Sequence, residues 1–234
     1  AAEGDRVIII EAADKTGGTT ATSNGQTWMP MNSTAMAQNL DNYDDALAYI
    51  TATAAGKSTP EILEAFLTYG PESSDFLAET AHRSWEISPR IDYHYDVFPG
   101  AKDQVRTIAP VGKQSTEAGQ MTGAFGTTSS GAFVTDPLVD GIVNKYGGEL
   151  LLSTTAKRLI TRVNDEGVTE VVGLQAEGKD GLINIKASKA VILGAGGFGW
   201  NDDMKRTYLE IPANRTMEVE TCKGEGILMG QAVG

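Results

Sequence analysis

The sequence holds a single cysteine, Cys222, and only two histidines, His82 and His94. One thiol excludes an internal disulfide and a cysteine-rich metal site. Two imidazoles argue against a His-based metal centre, so no metal is expected. Cations are scarce as well: 19 Lys and Arg stand against 31 Asp and Glu, for a formal net charge of -12. Nucleic-acid partners demand clustered basic residues, and none of these runs occurs, so no nucleic acid is expected. Acidity of this size mainly keeps a soluble protein dispersed. The G-x-S-x-G nucleophile elbow of many hydrolases is missing too. Long apolar runs are absent: Val7 to Ile10 stops at Glu11, and no other run comes near the ~20 residues a membrane span requires. No signal-peptide pattern leads the chain, and the expectation is a cytoplasmic protein without a membrane span. Ala1 to Arg6 read as the tail of a helix and a turn, as if the chain began inside a fold.

What is present suits one large α/β domain: 234 residues, 41% of them hydrophobic. Val7 to Ile10 has the pattern of a strand buried on both faces of a parallel sheet. Asp14 to Gly25, rich in Gly, Thr and Ser, reads as a loop. A helical pattern holds from Asn42 to about Ser88. Ser58 and Glu61 can form a capping box around Pro60, with Ile62, Leu63, Phe66 and Leu67 on one face. Gly70-Pro71 is expected to end that helix and start another, with Phe76 and Leu77 facing inward. Pro89 to Gly131 gives no regular pattern. Asp136-Pro137 reads as an N-cap and first helical position, for a helix ending at Gly147-Gly148. Strands are expected at Leu150 to Leu152, Arg158 to Val163, Val168 to Ala176 and Leu182 to Lys186, the last three as an antiparallel meander. Ala190 to Leu193 reads as a further strand, and Gly226 to Val233 as a last helix.

Several short patterns carry chemistry, each with a plainer alternative. An acid closing a buried strand, as Glu11 does, suits a carboxylate that accepts hydrogen bonds from an adenosine ribose; the alternative is a solvated acid. That acid ordinarily follows a G-x-G-x-x-G turn by about 20 residues, and counting back from Glu11 passes Ala1. A literal G-x-G-x-x-G does stand at Gly194 to Gly199, but Met217 to Thr221 is too short and polar for the strand its partner acid would close. A nicotinamide dehydrogenase or a hydrolase built on it is therefore the weaker reading. Its glycines mark a close backbone approach, to a cofactor or to a packed helix. Gly17 to Gly25 offers backbone donors and hydroxyls for a phosphate or polar cofactor chain, or a plain connection. Lys223-Gly224-Glu225-Gly226 is a binding turn before a helix, or a simple cap. Tyr93, His94 and Tyr95 can donate to a carbonyl or pass a proton, or can simply edge the core. Trp28, Trp85 and Trp200 are expected in packing, and Cys222 to be inert.

In order and separation these pieces resemble one family, the FAD-dependent fumarate reductases and 3-ketosteroid Δ1-dehydrogenases. The strand ending in Glu11, then Gly17-Gly18-Thr19-Thr20 and Ser23-Asn24-Gly25 with Trp28-Met29-Pro30, is similar to the loop after the family's second strand; Trp-x-Pro is nearer the ketosteroid branch. Val191 to Asn201 resembles its "ATGGFG-N" strand-turn, and Lys223 to Gly226 its T-G-D-G turn. The likeness implies a Rossmann-like FAD-binding domain: a parallel sheet, an antiparallel β-meander and a helical insertion at about 42–88. FAD is the implied cofactor. Glu11 would hold the adenosine ribose, and Ala156 would meet the adenine through its backbone. Gly17, Gly18, Thr19, Thr20, Ser23, Asn24 and Gly25 would line the pyrophosphate and flavin. Ala195, Gly196 and Gly197 would lie under the cofactor, with Gly224 and Glu225 near the flavin chain. Tyr93 would face the substrate as the catalytic residue, with Tyr95 a rival. Ala12, Asn24, Lys223 and Glu225 depart from the family pattern.

The resemblance implies an oxidoreductase acting on CH-CH bonds, by ketosteroid desaturation; fumarate- or urocanate-type reduction and a non-catalytic flavin-fold subunit are the alternatives. The expected partner is a small molecule, a steroid ketone or an unsaturated acid. Residues 1–234 are expected to form an incomplete FAD-binding domain, without the first glycine turn or the substrate domain, and another chain completing the fold stays open.

Overall fold

A computed structural model describes residues 1, 3–80, 82, 84–111, 121–122, 128–129, 131–209 and 215–234. In chain order the elements are β1 (Ile8–Ile10), α1 (Gly18–Thr22), β2 (Thr27–Trp28), α2 (Ser33–Met36), α3 (Tyr43–Ala54), α4 (Pro60–Thr80), β3 (Trp85–Ile87) and β4 (Thr107–Pro110). Then come β5 (Met121–Thr122), β6 (Thr128–Ser129), α5 (Ala132–Asp140), a π turn (Gly141–Lys145), β7 (Glu149–Leu151) and β8 (Thr155–Val163). The last are β9 (Thr169–Gly178), β10 (Gly181–Lys186), α6 (Asp202–Tyr208) and α7 (Glu225–Gln231). They fall into two compact units, Ala1–Thr19 with Ile142–Gly234, and Thr20–Gly141.

In the first unit β1 pairs in parallel with β7, Ile9 opposite Leu150. The parallel pairing is the one the β-branched run predicts, although its three isoleucines are only half-buried. The meander is antiparallel in the order β10-β9-β8. Its turns are fixed where expected, by Asn164 accepting the Glu166 and Val168 N–H groups and by Gly181 at φ +106°. Helix α7 packs on β8. Residues 190–193 form no strand: Ile192 is 92% exposed, since an apolar run becomes a strand only where another strand takes up its backbone groups.

The second unit is built on α3 and α4. Asn42 caps α3, accepting the Asp45 N–H at 2.9 Å, while Asp44 and Asp45 sit in the first turn, where the helix dipole favours anions. Ala46, Tyr49 and Ile50 recur on one face and bury against Leu67 of α4. Each large side chain so buried contributes roughly 1.5–3 kcal/mol. A small antiparallel sheet, β2-β4-β3, has the buried strand β4 at its centre.

Local signals misplace several boundaries. Helix α4 continues through Gly70-Pro71 to Thr80. Pro71 removes one helical donor, a cost of about 3 kcal/mol, yet the helix continues through it, with Gly70 seated on Met29, where a Cβ would sit 2.9 Å from Sδ. Thr59, not Ser58, precedes the first helical residue, and the Glu61 carboxyl bonds Thr59, which holds it below the usual carboxylate value. Phe76 is 55% exposed and Leu77 is exposed as well, because the face that packs inward carries Leu67, Gly70 and Ser74. The helical pattern ends before β3. Asp136-Pro137 lies inside α5, whose cap is Gly131; the glycine admits the close approach of Thr20 O, and its N–H reaches Ser23 O at 2.9 Å. The loop from Asp14 to Gly25 contains α1. Within the patternless stretch 89–131, β4 to β6 appear, and residues 112–120, 123–127 and 130 lie outside the described residues.

Candidate cofactor site

Glu11 follows β1 directly, and its main chain is clamped to the end of β7. Its N–H donates to Leu151 O at 2.9 Å, its carbonyl accepts the Thr154 N–H at 2.8 Å, and Ala13 O accepts the Ser153 N–H at 2.8 Å. The strand end is therefore fixed by backbone alone. Among the described residues one donor meets the Glu11 carboxylate, the Ala13 N–H at 2.8 Å on Oε1. Ala156 stands two residues beyond Thr154, paired with Ala176 and beside a bulge between Ala156 and Arg158. Glu11 and Ala156, far apart in sequence, thus come to adjoining strand ends.

A second group of expected residues also converges. Thr19 Oγ1 accepts the Val219 N–H at 3.2 Å and lies 4.0 Å from Cys222 Sγ. Gly196 has φ +74°, and a Cβ there would stand 2.9 Å from the same sulfur. Gly197 O accepts the Gly224 N–H at 3.0 Å. Gly226 lets α7 approach Ala195, whose Cβ would lie 3.1 Å from a Cβ at 226. Most glycines of the Gly194 to Gly199 run are thus required by the 216–226 segment packed on them. Glu218 is the residue the sequence reading missed: its carboxylate accepts the Gly199 N–H at 2.6 Å and occupies the space that side chains at Gly197 and Gly199 would take. Its carbonyl also takes the Trp200 indole N–H at 2.7 Å. An acid in a polar stretch gives no signal of that role. Gly18, at φ +49°, differs: a Cβ there would meet nothing within 4 Å. Its backbone borders open space, as a cofactor cradle requires. Glu225 opens α7 behind Gly224 at φ +85°. A cavity of about 300 Å³ is bordered by Gly197, Phe198, Lys205, Arg215, Thr216 and Glu218.

In the second unit, Ser23 Oγ donates to Thr20 O at 2.7 Å and accepts the Gly25 N–H at 3.0 Å, so this hydroxyl shapes its own loop. Gly25 has φ +64°, and Thr20 and Asn24 are exposed. Tyr93 is 86% exposed in a turn. His94 rests on Phe98, ring centroids 5.0 Å apart. Beneath this turn Arg106, Asp41 and Asp92 form a buried network that no local pattern announces. Arg106 donates to Asp41 through Nε at 2.9 Å and Nη2 at 2.8 Å, and to Asp92 through Nη1 at 2.9 Å. Burial pushes the Asp41 carboxyl up, but Arg106 and the Met31 and Asn42 N–H groups outweigh it and hold it below the ordinary value. Trp28 and Trp85 pack as expected, their indoles bonded to Asp92 and Ser74 O. Cys222 is buried.

A parallel strand ending in an acid, glycine turns meeting a helix start and an attached meander are features of a nucleotide-binding α/β domain. The chain belongs to the FAD binding domain family, which matches residues 1–234. FAD is accordingly its cofactor, and the residues present fit it: an acid with spare acceptor capacity at a strand end, and a bare glycine backbone at Gly18. It is 26% identical over 271 residues to 4-oxocyclohexanecarboxylate 2-dehydrogenase of Sinomonas cyclohexanicum, covering 99% of this chain and 46% of the relative. Its fold is similar to that of 3-ketosteroid delta1-dehydrogenase from Sterolibacterium denitrificans in complex with 1,4-androstadiene-3,17-dione, at TM-score 0.77 and 23% identity, over 98% of this chain and 50% of that one. It is also similar to the open conformation of a flavocytochrome c3 fumarate reductase, at TM-score 0.75 and 22% identity, over 97% and 36%. The chain therefore spans half or less of the length of these relatives. Among the described residues no helix is long and apolar enough to cross a membrane, and no cluster of His, Cys, Asp and Glu could hold a metal.

Proposed function

We propose that this chain is the FAD-holding part of an oxidoreductase that desaturates a carbon–carbon bond beside a ketone, in the manner of a 3-ketosteroid Δ1-dehydrogenase. The carrying observation is Glu11: its backbone is fixed by β7 while its carboxylate keeps acceptor capacity, as a ribose-binding acid needs. Ala156, at the adjoining strand end, meets the adenine through its backbone. Gly17, Gly18 and Thr19 pass the pyrophosphate, with Ala195, Gly196, Gly197, Gly224 and Glu225 along the rest of the cofactor. Thr20, Ser23, Asn24 and Gly25 serve the flavin end. FAD, when bound, supplies a two-electron acceptor for the hydride leaving one carbon. Tyr93 Oη takes up the proton leaving the neighbouring carbon as it releases its own to solvent, a relay that the exposure of the phenol permits. The names of the dehydrogenase relatives support ketone desaturation; the likeness to a fumarate reductase supports the reverse reaction, reduction of an activated double bond.

The test is anaerobic reduction of the flavin-loaded protein. Bleaching of the flavin band by 4-androstene-3,17-dione or 4-oxocyclohexanecarboxylate is expected. Reoxidation of the reduced protein by fumarate or urocanate, with no bleaching by ketones, would favour the reductase. A flavin band inert to all four would mark a non-catalytic subunit.

A further inference from the structure

We infer that the buried Arg106–Asp41–Asp92 network, with Tyr49 and Trp28, is a positioning device for Tyr93, fixing the turn from which that phenol reaches the substrate; the inference rests on the proton-handling role given to Tyr93 above.

Three ionised side chains sit here with almost no access to water: Arg106 and Asp41 are 0% exposed and Asp92 1%. Such burial is weak as a source of stability, since well-packed apolar residues of the same volume do as well or better. The network instead holds one short segment from both sides. Asp92 Oδ2 receives Arg106 and also the Lys102 N–H at 2.9 Å, Oδ1 receives the Trp28 indole at 2.7 Å, and the Asp92 N–H donates to Lys102 O at 3.0 Å. One residue on, the Tyr93 carbonyl accepts the Tyr49 hydroxyl at 3.0 Å. Tyr49 itself lies under the guanidinium, 5.4 Å from Arg106 Cζ to the ring centroid.

The peptide bearing Tyr93 is thus tied at 92 and at 93, while the Tyr93 side chain projects into solvent. Chemistry at a carbon beside a ketone needs a proton-handling atom placed to within a fraction of an ångström, and that placement comes from a fixed backbone beneath it. Tyr49 touches neither substrate nor cofactor in this scheme.

The experiment is a double-mutant cycle on ketone turnover by the flavin-loaded, full-length protein with 4-androstene-3,17-dione. Tyr93→Phe is expected to lower kcat by about 100-fold or more, the scale of general acid–base help. Tyr49→Phe, which removes one hydroxyl, is expected to lower kcat roughly 10-fold, with KM and the flavin spectrum held, as small misplacements do. In the Tyr93→Phe background the same change should have no further effect. Trp28→Phe, which takes one donor from Asp92, should behave alike and carries the test if Tyr49→Phe folds poorly. An unchanged kcat in Tyr49→Phe and Trp28→Phe, or an equal loss in both backgrounds, overturns the positioning role while Tyr93 keeps its own. If Tyr93→Phe turns over normally, the Tyr93 reading falls and positioning with it, and the flavin spectrum still reports separately on the cofactor site.

Discussion

The carbonyl of Glu11 accepts the Thr154 N–H at 2.8 Å, joining the end of β1 to the loop that leads into β8. Because that bond is main chain, the strand end does not rest on the Glu11 side chain, whose one bond, from the Ala13 N–H, leaves acceptor capacity for a ligand. Glu11→Ala should keep the melting temperature of the apoprotein and weaken FAD binding by about 10- to 100-fold, the worth of a hydrogen bond to a charged group. Flavin fluorescence titration beside a thermal melt checks both halves.

Gly196 makes the opposite expectation. Its positive φ costs a side chain roughly 1–2 kcal/mol, and a Cβ would press on Cys222 Sγ at 2.9 Å. Gly196→Ala should lower stability in a urea melt. Adding Cys222→Ala should recover only the steric part, since the backbone strain stays.

Arg106→Met leaves Asp41 and Asp92 buried without their partner, a loss of about 3–5 kcal/mol. Arg106→Lys should rescue little, because an ammonium cannot reproduce the fork that meets Asp41 through Nε and Nη2. Denaturant midpoints of the two variants decide this.

Asp41 also sets an acid dependence. Its folded carboxyl titrates below the ordinary aspartate value, so the unfolded chain binds more protons near that ordinary value. The contribution is complete above it and is lost as pH falls through the lower folded value. Denaturant midpoints should therefore stay level toward mild acid and drop in stronger acid. Asp5, Asp45, Glu61, Glu170 and Asp202 shift the same way at exposed or half-exposed positions. Salt should screen the shares of Asp5, Asp45 and Asp202, which pair with lysines, and spare those of Asp41 and of Glu61, whose partner is the Thr59 hydroxyl. Asp41→Asn should flatten the remaining slope.

Elements with a strong period were legible in the sequence. The meander showed as alternating runs broken at Asn164 to Gly167 and Gly178 to Gly181, and α7 as an apolar run behind Gly224. The end of β1 was legible because the charge of Glu11 follows four β-branched residues. Punctuation misled where tertiary contacts override it: Pro71 stays within α4 because Gly70 seats on Met29, and Pro137 stays within α5. Ala190 to Leu193 looked like a strand by composition, but strand formation needs a partner's backbone, which no window of sequence contains. Glu218 and the Arg106 network were invisible because their partners come from distant segments. The G-x-G-x-x-G at Gly194 to Gly199 was legible as close packing, yet what packs there, residues 216–226, came only from the fold.

The most direct test of the account is a structure of the protein crystallised with FAD, read at Glu11. A Glu11 carboxylate oxygen is expected within about 3 Å of an adenosine ribose hydroxyl, with the pyrophosphate along Gly17, Gly18 and Thr19. A dinucleotide bound elsewhere, with Glu11 still meeting only the Ala13 N–H, would contradict it.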